Sequence, residues 1–236
     1  ELRAGKKVLE SGSKDHVRVG STGLQELAVL SLKMPSVDKA AKLTFVAEIK
    51  DQNGKSANDW NFWVFPEDRL SPGARQLAII DCPPLDRLYP TATKPESAEK
   101  LSNYDLVVAS RLEAGTVDYL EKGGRVLLVS PKQVFPSLPS KFKPCWWVGD
   151  PAWDNNTGTV IQTAHPAIAA APNDGWCDLQ FNGLLNKSLA AVLDDLPVKV
   201  DPIVRCLDVH GMLRNKAYLF EVTVGRGRLL VSWFNF

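Results

Sequence analysis

The sequence predicts an α/β chain in two parts, a small β-sandwich followed by a flavodoxin-like, mostly parallel sheet. Three observations carry this expectation. Residues 1–66 hold alternating or β-rich runs and almost no helical spacing. A stretch with Pro and Gly, residues 67–74, then breaks the pattern. Beyond it, continuous apolar runs end in polar residues, the form of strands covered by helices on both faces. The predicted organisation is a jelly-roll or immunoglobulin-like sandwich over 1–66, whole or incomplete, a linker over 67–74 and an α/β domain over 75–236.

Element by element, Val17-Arg18-Val19, Glu26–Leu32 and Lys42–Ile49 read as strands of the first part. Asn53-Gly54 marks a tight turn, because both residue types tolerate positive φ. The strand after it runs from Trp60 to Phe65 and stops at Pro66, which cannot donate to a ladder. Its alternation puts Trp60, Phe62 and Val64 on one face and Asn61, Trp63 and Phe65 on the other.

In the second part, Gln76–Asp81, Asp105–Ser110 and Gly124–Ser130 are the apolar strands. Between the last two, Glu113–Lys122 reads as a short amphipathic helix closed by Gly123-Gly124, which makes a parallel crossover unit. Gly158–Gln162 and Val204–Val209 are further strands. A hairpin of Ala217–Val224 and Arg228–Trp233, turning at Gly225-Arg226-Gly227, ends the chain as an antiparallel edge.

Composition narrows the function. The net charge is +1 and the Lys and Arg residues are spread along all 236 positions, so no nucleic-acid footprint is expected. No apolar run approaches the roughly 18–20 residues of a membrane span. The opening residues, Glu1-Leu2-Arg3, lack an initiator Met and read as a mature product or an excised fragment. Cys82, Cys145, Cys177 and Cys206 have no CxxC spacing, and no two of His16, His165 and His210 have ligand spacing. No metal and no cofactor are therefore expected. Free thiols are the expectation for the cysteines, since Cys82 and Cys206 sit at or near apolar strands.

Ligands of a doubly wound sheet sit beyond the carboxyl ends of its strands. Those ends present Asp81-Cys82, Ser110-Arg111 and Ser130-Pro131. Cys82 is followed by Pro83-Pro84, which remove two N–H donors that an oxyanion pocket would use. Ser130 lacks the Gly-x-Ser-x-Gly turn and precedes Pro131. No catalytic residue is assigned. His165, in a loop ahead of a short helix, reads as a residue bonded to backbone. A binding site is the better candidate. Trp146, Trp147, Trp153 and Trp176 lie in sequence among Asp150, Asp154, Asp174 and Asp178, and aromatic faces beside carboxylates suit sugar rings. The proposed carbohydrate contacts are Trp146, Trp147, Asp150, Trp153, Asp154 and Trp176; the competing reading has these tryptophans pack loops onto the sheet.

Asn58-Asp59-Trp60-Asn61-Phe62-Trp63-Val64-Phe65-Pro66 resembles the strand that closes a β-sandwich in large bacterial proteins related to family 2 glycoside hydrolases, of β-galactosidase type. His165-Pro166-Ala167 and Pro172–Phe181 with Leu184-Leu185 resemble a motif of their C-terminal region, which is similar to a class I glutamine-amidotransferase domain that has lost its chemistry. The nucleophile turn is replaced by Ser130-Pro131-Lys132, and no His-x-Glu pair follows His210. The resemblance implies a non-catalytic accessory region of a periplasmic or extracellular hydrolase, its catalytic domain upstream in the parent chain. The rival expectation is a free-standing small-molecule hydrolase or amidotransferase-like enzyme.

Overall fold

The computed structural model describes residues 1–18, 20, 23–67, 75–95, 98–131, 134–142, 156–209 and 211–236. They form two compact units, Glu1–Arg69 and Leu70–Phe236.

The first unit is one antiparallel sheet of four strands, β1 (Leu2–Ala4), β2 (Lys7–Glu10), β3 (Ala41–Asp51) and β4 (Gly54–Val64), in the order β2-β1-β3-β4. The described residues hold this single layer where a two-layered sandwich was expected. The β3–β4 hairpin pairs Asp51 with Gly54, so Gln52-Asn53 make the turn. Asp51 Oδ1 accepts from the backbone N–H of Asn53 (2.8 Å) and of Gly54 (3.0 Å). Gly54, at φ +147°, takes the positive φ, and Asn53 does not.

Two expected strands do not form among the described residues. Residues 17–18 and 26–32 have no ladder partner, while Val19 lies outside the described residues. A β-rich pattern states only what a segment suits; a strand exists when a neighbour takes up its backbone hydrogen bonds.

The second unit is a mixed sheet of nine strands: β5 (Leu77–Ile80), β6 (Leu106–Ala109), β7 (Arg125–Val129), β8 (Ser137–Pro139), β9 (Gly158–Ile161), β10 (Leu189–Val192), β11 (Val204–Leu207), β12 (Lys216–Val224) and β13 (Gly227–Ser232). β5, β6, β7 and β13 run parallel in that order. Every other pairing is antiparallel: β12 with β13, β10 and β11, β10 with β8, and β11 with β9. The expectation of a mostly parallel sheet is corrected to a mixed one, and the closing hairpin, expected at an edge, lies inside the sheet, with β13 between β7 and β12. Parallel neighbours need a long crossover, and helices are scarce here. α1 (Pro83–Leu88) and α2 (Ala114–Glu121) serve the parallel half, whereas α3 (Pro166–Ala169) and α4 (Asn182–Leu185) are single turns.

The continuous apolar runs do what their pattern predicts. Along β6, Val107 and Ala109 enter one buried cluster with Leu120, Leu128, Phe220 and Trp233, while Val108 enters another with Ile79, Leu85 and Val129. Both faces of the parallel half are therefore covered. A third cluster, with Ile161, Phe181, Val204 and Tyr218, fills the antiparallel half. The end of α2 lies against the β12–β13 turn so closely that a Cβ on Gly227 would stand 2.2 Å from the Leu120 carbonyl oxygen. Among the described residues, no helix is long and apolar enough to cross a membrane.

Candidate functional site

The carboxyl rim of the parallel strands is the first place to look for chemistry. Asp81 and Ser130, directly after β5 and β7, both adopt left-handed φ, 53° and 48°. Arg111, after β6, bridges this rim to its own loop: its Nη2 is 2.7 Å from Asp81 Oδ2 and its Nε 2.8 Å from Glu113 Oε1. The rim's charges satisfy one another in water-exposed pairs.

Neither nucleophile candidate is equipped. Cys82 caps α1, and its carbonyl oxygen accepts from the Leu85 and Asp86 N–H groups. The thiol is pushed up to about 11 by burial, with Asp86 and Asp81 adding to the effect. A nucleophilic cysteine needs the opposite shift. The Ser130 N–H donates to the Ser232 carbonyl at 2.7 Å. Its follower, Pro131, has no N–H, so the usual oxyanion donor next to a nucleophile is missing. Among the described residues, no group of three His, Cys, Asp or Glu side chains gathers in metal-binding geometry. His165 caps α3, its Nδ1 accepting from the Ala167 N–H at 3.2 Å; His210 lies outside the described residues.

Of the predicted sugar contacts, Trp146, Trp147, Asp150, Trp153 and Asp154 lie outside the described residues. Trp176 is described, and it sits on a turn held firmly by its own polar groups. Asn173 Nδ2 donates to the Ala171 carbonyl (3.0 Å), and Asn173 Oδ1 accepts from the Gly175 N–H (2.9 Å). The Gly175 carbonyl accepts from Ile161 N–H of β9 (2.8 Å), and Thr159 Oγ1 accepts from Cys177 N–H (2.7 Å). Asp178 Oδ1 accepts from the Leu179 N–H (2.7 Å), and Gln180 Nε2 donates to the Pro172 carbonyl (3.0 Å). Gly175 is left-handed at φ +92°. This framework ties the Trp176 turn to β9, the strand that carries Val160. Both side chains stay in solvent, at 52% and 46% exposure, and Leu179 joins them at 54%. About half of the Trp176 side chain is thus left in solvent.

The sequence reading missed a buried polar group beneath the antiparallel half. Ser140 and Tyr218 share a hydroxyl–hydroxyl bond, and Asn156 Nδ2 donates to the Lys141 carbonyl and to Tyr218 (3.2 Å). Among the described residues, Asn156 Oδ1 is buried without a hydrogen-bond partner. Burial pushes the Tyr218 phenol far up and Cys177 up to about 12. Next to this group, Asp208 takes Arg214 Nε (2.7 Å) and Lys216 Nζ (3.1 Å). The available signal was Lys216 two residues before Tyr218 in a strand, which puts both on one face. These groups are closed off from solvent and hold the sheet together. They do not form an open site.

Residues 107–236 match a family model described as "Domain of unknown function (DUF8487)". Residues 1–66 match a second, "Domain of unknown function (DUF8488)". No curated protein matches the chain.

Proposed function

The chain belongs to the DUF8487 family, and from that starting point we propose that it is a non-catalytic accessory region touching carbohydrate through the Trp176 turn. The observation that carries this reading is the turn itself. Six hydrogen bonds from residues 171–180 and β9 hold rigid a segment whose largest side chain remains 52% exposed. Burying a tryptophan stabilises a fold by several kcal/mol, about 3–5 by truncation, and here that gain is forgone. A pre-ordered aromatic face with Asp174 and Asp178 close by in sequence suits the C–H face and hydroxyls of a sugar ring.

The parent is proposed to be a protein related to family 2 glycoside hydrolases, acting outside the cell or in the periplasm with its catalytic domain upstream. The Asn58–Pro66 and Pro172–Phe181 motifs support this. The parallel half with its α2 crossover supports reading the second unit as a flavodoxin-like, amidotransferase-like domain. The Cys82 and Ser130 environments support lost chemistry. The first unit is read as part of a sandwich.

The test is NMR titration of the Trp176 indole N–H, assigned with Trp176→Phe, using galactosides and plant-derived oligosaccharides. A single stacked ring with a few solvent-competed hydrogen bonds predicts a Kd near millimolar, about 4 kcal/mol. Absence of any shift at tens of millimolar sugar overturns the sugar reading.

A further inference from the structure

The first unit contains a strand without a sheet and a sheet edge without a strand. Residues 24–34, Leu24-Gln25-Glu26-Leu27-Ala28-Val29-Leu30-Ser31-Leu32-Lys33-Met34, have the β-rich composition of a strand and no helical or ladder structure. Among the described residues, no backbone group of the segment bonds to another backbone group; the Leu27 carbonyl takes only Lys14 Nζ at 3.3 Å. Leu24, Val29 and Leu30 stand in water, at 108%, 77% and 62% exposure, while Leu27 and Leu32 are half-buried.

β4 is the mirror of that situation. Among the described residues it is an eleven-residue edge strand paired only with β3, and residues 54–60 are exposed throughout. Its pairing register puts Trp60, Phe62 and Val64 opposite Phe45, Leu43 and Ala41, so these form one apolar face. Phe45 and Trp60 stack at 5.8 Å on that face, yet Trp60 remains 41% and Ile49 53% exposed. Long, flat, partly apolar edges attract a further strand.

We propose that two copies of this chain dimerise by strand addition, the 24–34 segment of each pairing antiparallel along β4 of the other. An isologous, two-fold exchange satisfies both open features at once, and its symmetry closes the assembly at two copies. One register matches chemistry at five positions. Leu32 falls opposite Trp60, Leu30 opposite Phe62 and Ala28 opposite Val64, which extends the apolar face. On the other face, Ser31 meets Asn61 and Lys33 meets Asp59, an opposite-charge pair. The occupant is a second copy because the same chain carries both halves of the match. This inference is independent of the carbohydrate reading.

Light scattering on the purified chain should give twice the 26.0 kDa of one copy. Val29→Pro removes a ladder N–H from a segment outside every sheet, and should give a monomer with unchanged circular dichroism. A mixture of Lys33→Cys and Asp59→Cys single variants should form a cross-linked dimer under mild oxidation, with the wild-type chain as the blank. A monomeric wild type overturns the proposal, as does a dimer that survives Val29→Pro. So does a Lys33→Cys/Asp59→Cys double variant that cross-links within one chain.

Discussion

The Lys216 ammonium donates to Asp208 Oδ1 at 3.1 Å with both side chains sealed from solvent, at 0% and 1% exposure. Arg214 meets the same carboxylate from its other side, through Nε and Nη2 and its own backbone N–H. One carboxylate thus ties the end of β11 to the start of β12, the strand on which β10, β11 and β13 all converge. Burial alone would raise its pKa, but the bonds from Arg214 and Lys216 outweigh it and hold Asp208 at about 2.

That depression has a sign and a window. A carboxylate lowered from 3.8 to about 2 contributes stability that is complete above pH 3.8 and lost as pH falls through 2. The contribution is about 2 kcal/mol. Asp208→Asn should lower stability at neutral pH by roughly 3 kcal/mol, as for a broken buried pair. It should also flatten the decline between pH 4 and pH 2. Urea unfolding across that range checks both; an unchanged slope in the variant assigns the acid lability elsewhere.

Gly227 should be intolerant of any side chain. A Cβ there would stand 2.2 Å from the Leu120 carbonyl oxygen and 2.5 Å from that of Gly124, both rigid backbone. Gly227→Ala is expected to cost at least about 2 kcal/mol, in the range of overpacked cores. Gly183→Ala, in α4 with open space around it, should be neutral or gain up to about 1 kcal/mol. Equal thermal shifts in the two variants would contradict the close approach of α2 to the hairpin turn.

The described thiols should be inert in the folded chain. Burial pushes Cys82 up to about 11 and Cys177 up to about 12, and raises Cys206 as well. The thiolate is the reactive form, so alkylation at pH 8 should run on the order of 100-fold slower than for free cysteine. Residue-resolved mass spectrometry before and after denaturation measures this. Rapid native labelling of Cys82 would reopen the case for a nucleophile at the strand ends.

Trp176→Ala separates binding from folding. The side chain is half in water, so the substitution should cost about 1–2 kcal/mol, below the 3–5 of a fully buried tryptophan. It should at the same time abolish the sugar-induced shifts in residues 173–179. A large loss of melting temperature would show Trp176 to be a packing residue.

Periodicity alone located β5, β6, β7, α2 and the closing hairpin, because each carries its signal locally. Continuous apolar runs mark strands covered on two faces, and Gly123 at φ +107° ends the helix where a Gly-Gly pair was expected to. The direction of each pairing lay beyond local pattern. Val204–Leu207 reads the same whether its neighbour runs parallel or antiparallel, and the choice follows from which connections are long enough to cross over. The same limit explains Glu26–Leu32. Its residues suit a strand, but no partner reaches it within the described chain, and a strand is a relation between two segments. Cys82 shows the contrast in chemistry: its place after β5 was legible, whereas its inertness depends on the apolar cluster and the two carboxylates around it. The order of residues determined what each segment suits. Long-range contact decided which segments meet, because burial, pairing direction and pKa all belong to neighbours far apart in the chain.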